Sequence, residues 1–318
     1  MKKAKVKATQ QEKKDKRKIF LKRVLRQKQL VFMSFPFVIL CFIFAYIPIW
    51  GWIMAFTDFK PYNRIWENKW VGLINFEKLF SDPMFLTSLR NTLAQSFIHL
   101  ILGFTTAIVL AIMLNEVRNM AFKKITQSVS YLPHFISWVV AGNIVIEMLS
   151  FDGPLNAILM SIGISTKPIL FLGIKNAFWG ILGFSNVWKE VGWNAIIYLA
   201  ALTMISPSLY EAADIDGANR FHKIRFITLP GIKPIFIMML ILSIGNILNA
   251  GFEQPYLLRN AYVQEVSDNL DIFVLKRGMA EGQFSFATAA GIFKSIVSII
   301  LLFFVNKTAK AMGETGIL

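Results

Sequence analysis

A single cysteine, Cys41, in 318 residues rules out an intrachain disulfide and any cysteine-built metal cluster. Charge is scarce too. Asp, Glu, Lys and Arg make up 17% of the chain, against about 25% in soluble domains. No glycine is followed by a lysine, so the chain has no Walker A phosphate loop. Any ATP hydrolysis it depends on takes place on another polypeptide. It also lacks a His-Glu-x-x-His zinc helix and a Gly-x-Ser-x-Gly nucleophile elbow. The three histidines, His99, His134 and His222, stand far apart in the sequence. No catalytic residue, metal or cofactor is assigned on these grounds.

What the chain has is apolar bulk. Hydrophobic residues make up 55%, with 29 Phe among them. The net charge of +15 looks like a nucleic-acid signal until it is located. Thirteen of the 34 Lys and Arg precede residue 30, directly before an apolar run. A membrane surface explains that placement better than a duplex does. The run from 30 to 56 is far longer than the ~7–15-residue core of a signal peptide, so it reads as a retained first span.

Crossing a bilayer takes about 20 apolar residues. Six segments qualify, at 30–56, 91–114, 129–149, 177–205, 234–258 and 287–306. They lack the period-two alternation of a barrel, so they read as helices. Basic residues mark alternate flanks: the N-terminal tail, then Arg118, Lys123 and Lys124, then Arg220, Lys223, Arg225 and Lys233, then Lys307 and Lys310. Both termini are therefore expected in the cytoplasm. Ile19, Phe20, Val24 and Leu25 among basic residues suggest a helix lying on the inner leaflet before the first span.

The connection at 206–230 is the most informative stretch. Ser206 or Ser208 can cap a helix, Pro207 suits its first position, and Ser208 with Glu211 fits a capping box. Ala212 and Ala213 leave a shallow surface for close approach. Gly217 can take positive φ and end the helix. A second amphipathic piece follows, with Phe221, Ile224 and Phe226 among basic residues, and Leu229-Pro230 is expected to break it. The whole reads as a helix–turn–helix knob projecting into the cytoplasm.

The spacing Glu211-Ala212-Ala213, Gly217, Ile227, Leu229-Pro230, with Asp216-Gly217-Ala218 inside it, resembles the EAA signature of membrane subunits of binding-protein-dependent ABC importers. Further stretches resemble the sugar-type branch: Val71 to Phe80 with Asp82-Pro83 and Asn91 to Leu93, Gly153 to Asn156, and Trp188 to Asn194 with Tyr198 to Leu202. The last of these is similar to the oligosaccharide permeases that work with lipoprotein binding proteins. The resemblance implies an all-α fold of six transmembrane helices, the transmembrane domain of a type I ABC importer. The basic tail would be 1–29, the permease domain 30–306 and the C-terminal tail 307–318.

The resemblance further implies that Glu211, Ala212, Ala213, Asp216, Gly217, Leu229 and Pro230 form the surface that couples to an ATPase. In that reading Glu211 pairs with a basic ATPase residue and Gly217 makes the bend. The partners implied are a second permease subunit, preferably a related hetero-partner, two ATPase subunits and an extracytoplasmic solute-binding lipoprotein. The substrate implied is an oligosaccharide. Membrane lipid is a partner and nucleic acid is not. The expected mechanism is alternating access, driven by differential ATPase contact in two states.

Polar residues inside spans are costly and mark pathways or helix contacts. Glu190, Asn194, Asn246, Asn249 and Glu253 are the candidate pathway residues. Asn246 and Asn249, three apart, would share a helical face, and amides can both donate to and accept from sugar hydroxyls. The plainer reading is interhelical hydrogen bonding, with Lys189 and Glu190 paired to each other. Trp188 and Trp193 suit interfacial anchoring, with stacking on sugar rings as the other reading. Lys294 either snorkels or faces a partner. Two rival functions stay open on the sequence: a membrane enzyme acting on lipid-linked glycans, and an ion-coupled secondary transporter.

Overall fold

A computed structural model describes residues 26–311 and 313. The interfacial helix expected through Ile19, Phe20, Val24 and Leu25 lies outside the described residues. The chain divides into two units, Met1–Ile53 and Met54–Leu318. In the first unit, α1 (Lys28–Cys41) continues through a π turn at Phe42–Tyr46. No residue of α1 is buried, and Phe32 is 78% exposed. Such a surface is costly in water and ordinary among acyl chains.

Among its described residues the second unit is mostly helical. In chain order it holds α2 (Ile74–Ser81), α3 (Pro83–Glu116), α4 (Met120–Tyr131), α5 (Trp138–Met148), α6 (Pro154–Ser161), α7 (Lys175–Thr203) and α8 (Pro207–Ile215). There follow α9 (Arg220–Lys223), α10 (Leu229–Gly245), α11 (Glu253–Leu258), α12 (Gln264–Ser267), α13 (Leu270–Leu275) and α14 (Phe284–Ala311). Among the described residues the only β feature is an isolated bridge between Thr57 and Trp70. Four helical runs are long and apolar enough to cross a membrane: Lys28–Phe56, Pro83–Glu116, Arg220–Gly245 and Phe284–Ala311. Two bent pairs bring the number to six.

Two expected spans differ from the observed ones. The segment 129–149 is not one helix. Met120–Phe135 and Trp138–Met148 meet at 104°. Leu132-Pro133 turns the chain, and the Ser137 hydroxyl then accepts the Val140 N–H to cap a new helix. The fifth span starts earlier than expected and ends sooner. Arg220–Gly245 is continuous through Leu229-Pro230. A π turn at Ile224–Thr228 precedes the proline, with the Leu229 N–H reaching back to the Ile224 carbonyl. The wider turn absorbs the proline that would break a tight α-helix. At the other end α10 stops at Gly245, and Asn246 turns back so that its N–H meets the Ser243 carbonyl.

The main contact is between α3 and α7. Ala107 and Ala111 of α3, one turn apart, pack with Ala195 and Ala201 of α7. Small residues let helices approach where lipid supplies no hydrophobic drive. On α7, Gly192 lies so close to the Ser130 carbonyl of α4 that a Cβ there would sit 2.1 Å from the oxygen.

The segment between α10 and α14 is held by side chains of α3. Asn91 donates to the Glu265 and Asp268 carbonyls, both at 2.9 Å. Gln95 donates to Ser267 O at 3.1 Å, and Ser96 to Ile247 O at 2.5 Å. The Thr92 hydroxyl accepts the Leu270 N–H at 2.8 Å. These side chains supply the partners that irregular backbone needs at membrane depth.

Candidate functional site

Two places in the molecule concentrate polar groups that packing alone does not require. The first is a cleft of about 270 Å³ between α3, α7, α10 and the turn at 246–250. Asn186, Asn194 and Tyr198 face it from α7, spaced by two turns and then one, and His99 faces it from α3. Asn246 and Asn249 close one side. None of the lining residues is Asp, Glu, Lys or Arg. The lining therefore offers amides, hydroxyls and an imidazole, but no fixed charge.

Several of these groups are uncommitted. Among the described residues no partner hydrogen-bonds the amides of Asn186 and Asn194. His99 Nε2 is buried without a partner. Asn246 donates to Leu242 O at 3.0 Å, and Asn249 donates to Asn246 Oδ1 at a long 3.4 Å. Asn246 and Asn249 do meet at the cleft, but not as two positions on one helix face. Asn246 is the C-cap of α10, and Asn249 lies in the turn beyond it.

Glu190 and Glu253 are not among the cleft's lining residues. Glu253 is exposed at the start of α11. Glu190 belongs to a separate network at the break between α4 and α5. Lys189, only 4% exposed, donates to the His134 carbonyl and to Glu190 Oε1, both at 3.0 Å. Glu190 Oε2 meets His134 Nδ1 at 2.7 Å. The His134 ring stacks on Trp193 with centroids 4.3 Å apart, and Lys189 lies over Trp138. A buried pair of this kind is tolerable because every charge is matched. Lys294 is likewise committed, in an ion pair with Asp271.

The second place is the knob at 206–230. Pro207 opens α8, as its chemistry predicts, but the capping box does not form. Ser206 occupies the N-cap without a side-chain cap bond, and its hydroxyl meets that of Ser208 at 2.7 Å. Glu211 is thus released from a capping role. It is exposed, and among the described residues it has no ion-pair partner. Gly217 has φ +73° and ends α8, with the Ala218 N–H reaching the Ala213 carbonyl at 2.8 Å. That pattern is a Schellman cap.

The faces of α8 divide cleanly. Leu209, Glu211, Ala212 and Ile215 point outward, Ile215 being 88% exposed. Tyr210 and Ala213 are half-buried, and Ala213 lines a hollow with Gly217, His222 and Phe226. Leu229 and Pro230 are exposed at the start of α10. Sequence reasoning missed Asn186 and Tyr198 as cleft residues, and weighed His99 as a solute or relay group only behind a packing role. The repeat of Asn186, Asn194 and Tyr198 at multiples of four along α7 was a readable signal.

The comparisons with known proteins bear on both places. Residues 99–312 match the family described as "Binding-protein-dependent transport system inner membrane component". The polygalacturonan/rhamnogalacturonan transport system permease protein YteP of Bacillus subtilis (strain 168) is 43% identical, covering 96% of this chain and 95% of that protein. Protein LplB of the same organism is 40% identical, covering 92% of each chain. A chain in the crystal structure of a bacterial alginate ABC transporter in complex with alginate pentasaccharide-bound periplasmic protein aligns with TM-score 0.84 and 37% identity. That alignment covers 93% of this chain and 99% of the other. The chain belongs to the binding-protein-dependent transport family: it is a multi-pass membrane permease subunit of an ABC importer, and neither rival reading survives that membership.

Proposed function

We propose that this permease subunit passes an oligosaccharide from an extracytoplasmic binding protein into the cell, neutral or acidic in character. The observation that carries the reading is the chemistry of the cleft. Amides and hydroxyls can both donate to and accept from sugar hydroxyls. The printed names of the relatives point the same way, since YteP is named for polygalacturonan and rhamnogalacturonan and the solved neighbour for alginate. Asn186, Asn194, Asn246 and Asn249 are the groups assigned to solute, with His99 as a further donor or acceptor. Glu190 and Glu253 are left out of that set.

The exposed face of α8 is the surface offered to an ATPase. Glu211 supplies an uncommitted carboxylate, Ala212 a shallow contact and Ile215 an apolar anchor. Gly217, with Asp216 at the C-cap, sets the bend, and Leu229-Pro230 joins the knob to span five. The complete importer contains a second, related permease subunit, two ATPases and a binding lipoprotein. Both termini lie in the cytoplasm.

Deleting the gene and measuring uptake of labelled oligogalacturonides, neutral oligosaccharides, amino acids and short peptides tests the solute. Loss of oligosaccharide uptake is expected. Loss of peptide uptake with all sugar uptake intact would overturn the assignment. Topology is tested in a Cys41→Ser background with Thr166→Cys and Asn219→Cys, both at exposed positions. An impermeant thiol reagent added outside is expected to label the first and not the second.

A further inference from the structure

The knob is joined to span five by one side-chain contact that its sequence pattern does not announce. Tyr210, in the first turn of α8, places its hydroxyl 3.0 Å from Thr228 Oγ1. Thr228 is 3% exposed and is the last residue of the π turn at Ile224–Thr228. The Thr228 hydroxyl donates to the Lys223 carbonyl at 3.3 Å, at the opening of that turn. Its proton being committed, the Thr228 oxygen accepts from Tyr210. One turn on from Tyr210, Asp214 pairs with Lys223 Nζ at 2.5 Å. The inner face of α8 is therefore tied twice, once to the last residue of the π turn and once to Lys223, the residue just before it.

A π turn holds one residue more than the α turn it replaces. Converting it to α geometry would rotate everything before it by about 100° and shift it by about 1.5 Å relative to α10. A turn with two registers at the root of a moving knob can either transmit a push or absorb it. The hydroxyl chain from Tyr210 through Thr228 to the Lys223 carbonyl braces the π register. Asp214–Lys223 alone cannot do so, because Asp214 is well exposed and the pair is screened by solvent.

We propose that the Tyr210–Thr228 hydrogen bond is the positioning joint that makes α8 and span five move as one body, so that ATP-driven displacement of the knob reaches the cleft. The inference rests on α8 being the ATPase-facing surface. Tyr210 touches neither solute nor nucleotide in this scheme. It acts by holding the register of the π turn.

The test uses the whole importer, purified with its partner subunit and ATPases. A reporter cysteine is placed in the cleft by Gly103→Cys in a Cys41→Ser background. Gly103 lines the cleft, and a Cβ there meets nothing within 4 Å. The rate of maleimide labelling is measured with and without ATP plus vanadate, beside the rate of ATP hydrolysis. In the parent, nucleotide is expected to change the labelling rate. Tyr210→Phe removes only the hydroxyl. It is expected to keep hydrolysis within about twofold while shrinking the nucleotide-dependent change at least fivefold. Thr228→Val is expected to do the same, Thr228→Ser to restore the parent response, and the Phe/Val double variant to be no worse than either single one. A parallel fall of hydrolysis and cleft response, a full response in Tyr210→Phe, additive losses, or loss of assembly on removing one hydroxyl would each overturn the joint. Glu211→Lys separates the underlying reading. If that variant still binds the ATPases and responds normally, docking through α8 fails, whatever Tyr210→Phe does.

Discussion

Replacing Gly217 in a graded series isolates backbone conformation from every other property of the knob. Gly217 has φ +73°. An added Cβ there would find nothing within 4 Å, so no steric clash with neighbours enters. What remains is the cost of a left-handed conformation, about 1–2 kcal/mol for an ordinary L residue. Asn tolerates this region better than Ala, and a β-branched Val worst. One to two kcal/mol is a factor of about 5–30 in the population of the capped geometry. Gly217→Asn is thus expected to be mild, Gly217→Ala to lower the docked population several-fold, and Gly217→Val more than that. The assay is co-purification of the ATPase with the tagged permease from native membranes, titrated with salt, beside uptake of the transported oligosaccharide. Because the site is exposed, melting of the membrane bundle should not change across the series. Equal behaviour of Asn, Ala and Val would refute the conformational argument, as would a loss that follows side-chain volume alone with Asn worse than Ala.

Further expectations concern the bundle. Lys189→Met leaves Glu190 and the His134 carbonyl without their buried partner, at a cost of about 3–5 kcal/mol; detergent melting should show the loss, and adding Glu190→Gln should recover part of it. Gly192→Ala drives a Cβ to 2.1 Å from the Ser130 carbonyl and 2.4 Å from its carbon, so α4 and α7 separate at about 1–3 kcal/mol or more. Gly180→Ala, where nothing lies within 4 Å, is the matched control and should be neutral or mildly stabilising by melting temperature. Outside the spans, a hydrogen bond from Lys175, and then its charge, hold the Glu265 carboxyl below its ordinary value. A depressed carboxyl stabilises the native state above its unfolded value and loses that contribution as pH falls through the folded one. Lys175→Met is therefore expected to flatten part of the acid side of a melting series.

Much of this architecture was legible because membrane insertion imposes coarse rules. Length and apolarity pointed to each of the apolar segments, though not to their ends. The boundaries were not legible where two local signals compete. Pro133 and Ser137 divide what reads as one apolar run, since capping chemistry overrides hydropathy at the residue where the chain turns. Leu229-Pro230 reads as a break, yet the π turn before it carries the helix through. The signature at 211–217 predicted the Gly217 turn from residue type alone. The capping box from the same stretch failed, because Ser206 and Ser208 bond each other instead.

The cleft shows why candidate pathway residues resist prediction more than the candidate coupling surface does. The knob is short and local, so the spacing of Glu211, Ala212 and Gly217 already defines a surface. The cleft is assembled from α3, α7 and a turn after α10, and which polar groups face it depends on how other polar groups are satisfied. Glu190 read as a pathway candidate because it is a charged residue within an expected span, with pairing to Lys189 as the plainer reading. It is withdrawn because Lys189 and His134 complete it. Asn186 and His99 drew less notice, yet among the cleft's lining residues Asn186 keeps an uncommitted amide and His99 a buried ring nitrogen without a partner. For a subunit that moves polar solute through apolar surroundings, the proposed solute contacts therefore follow an intramembrane residue's unspent hydrogen-bonding capacity rather than its polarity alone, and only the folded chain reveals which residues have any left.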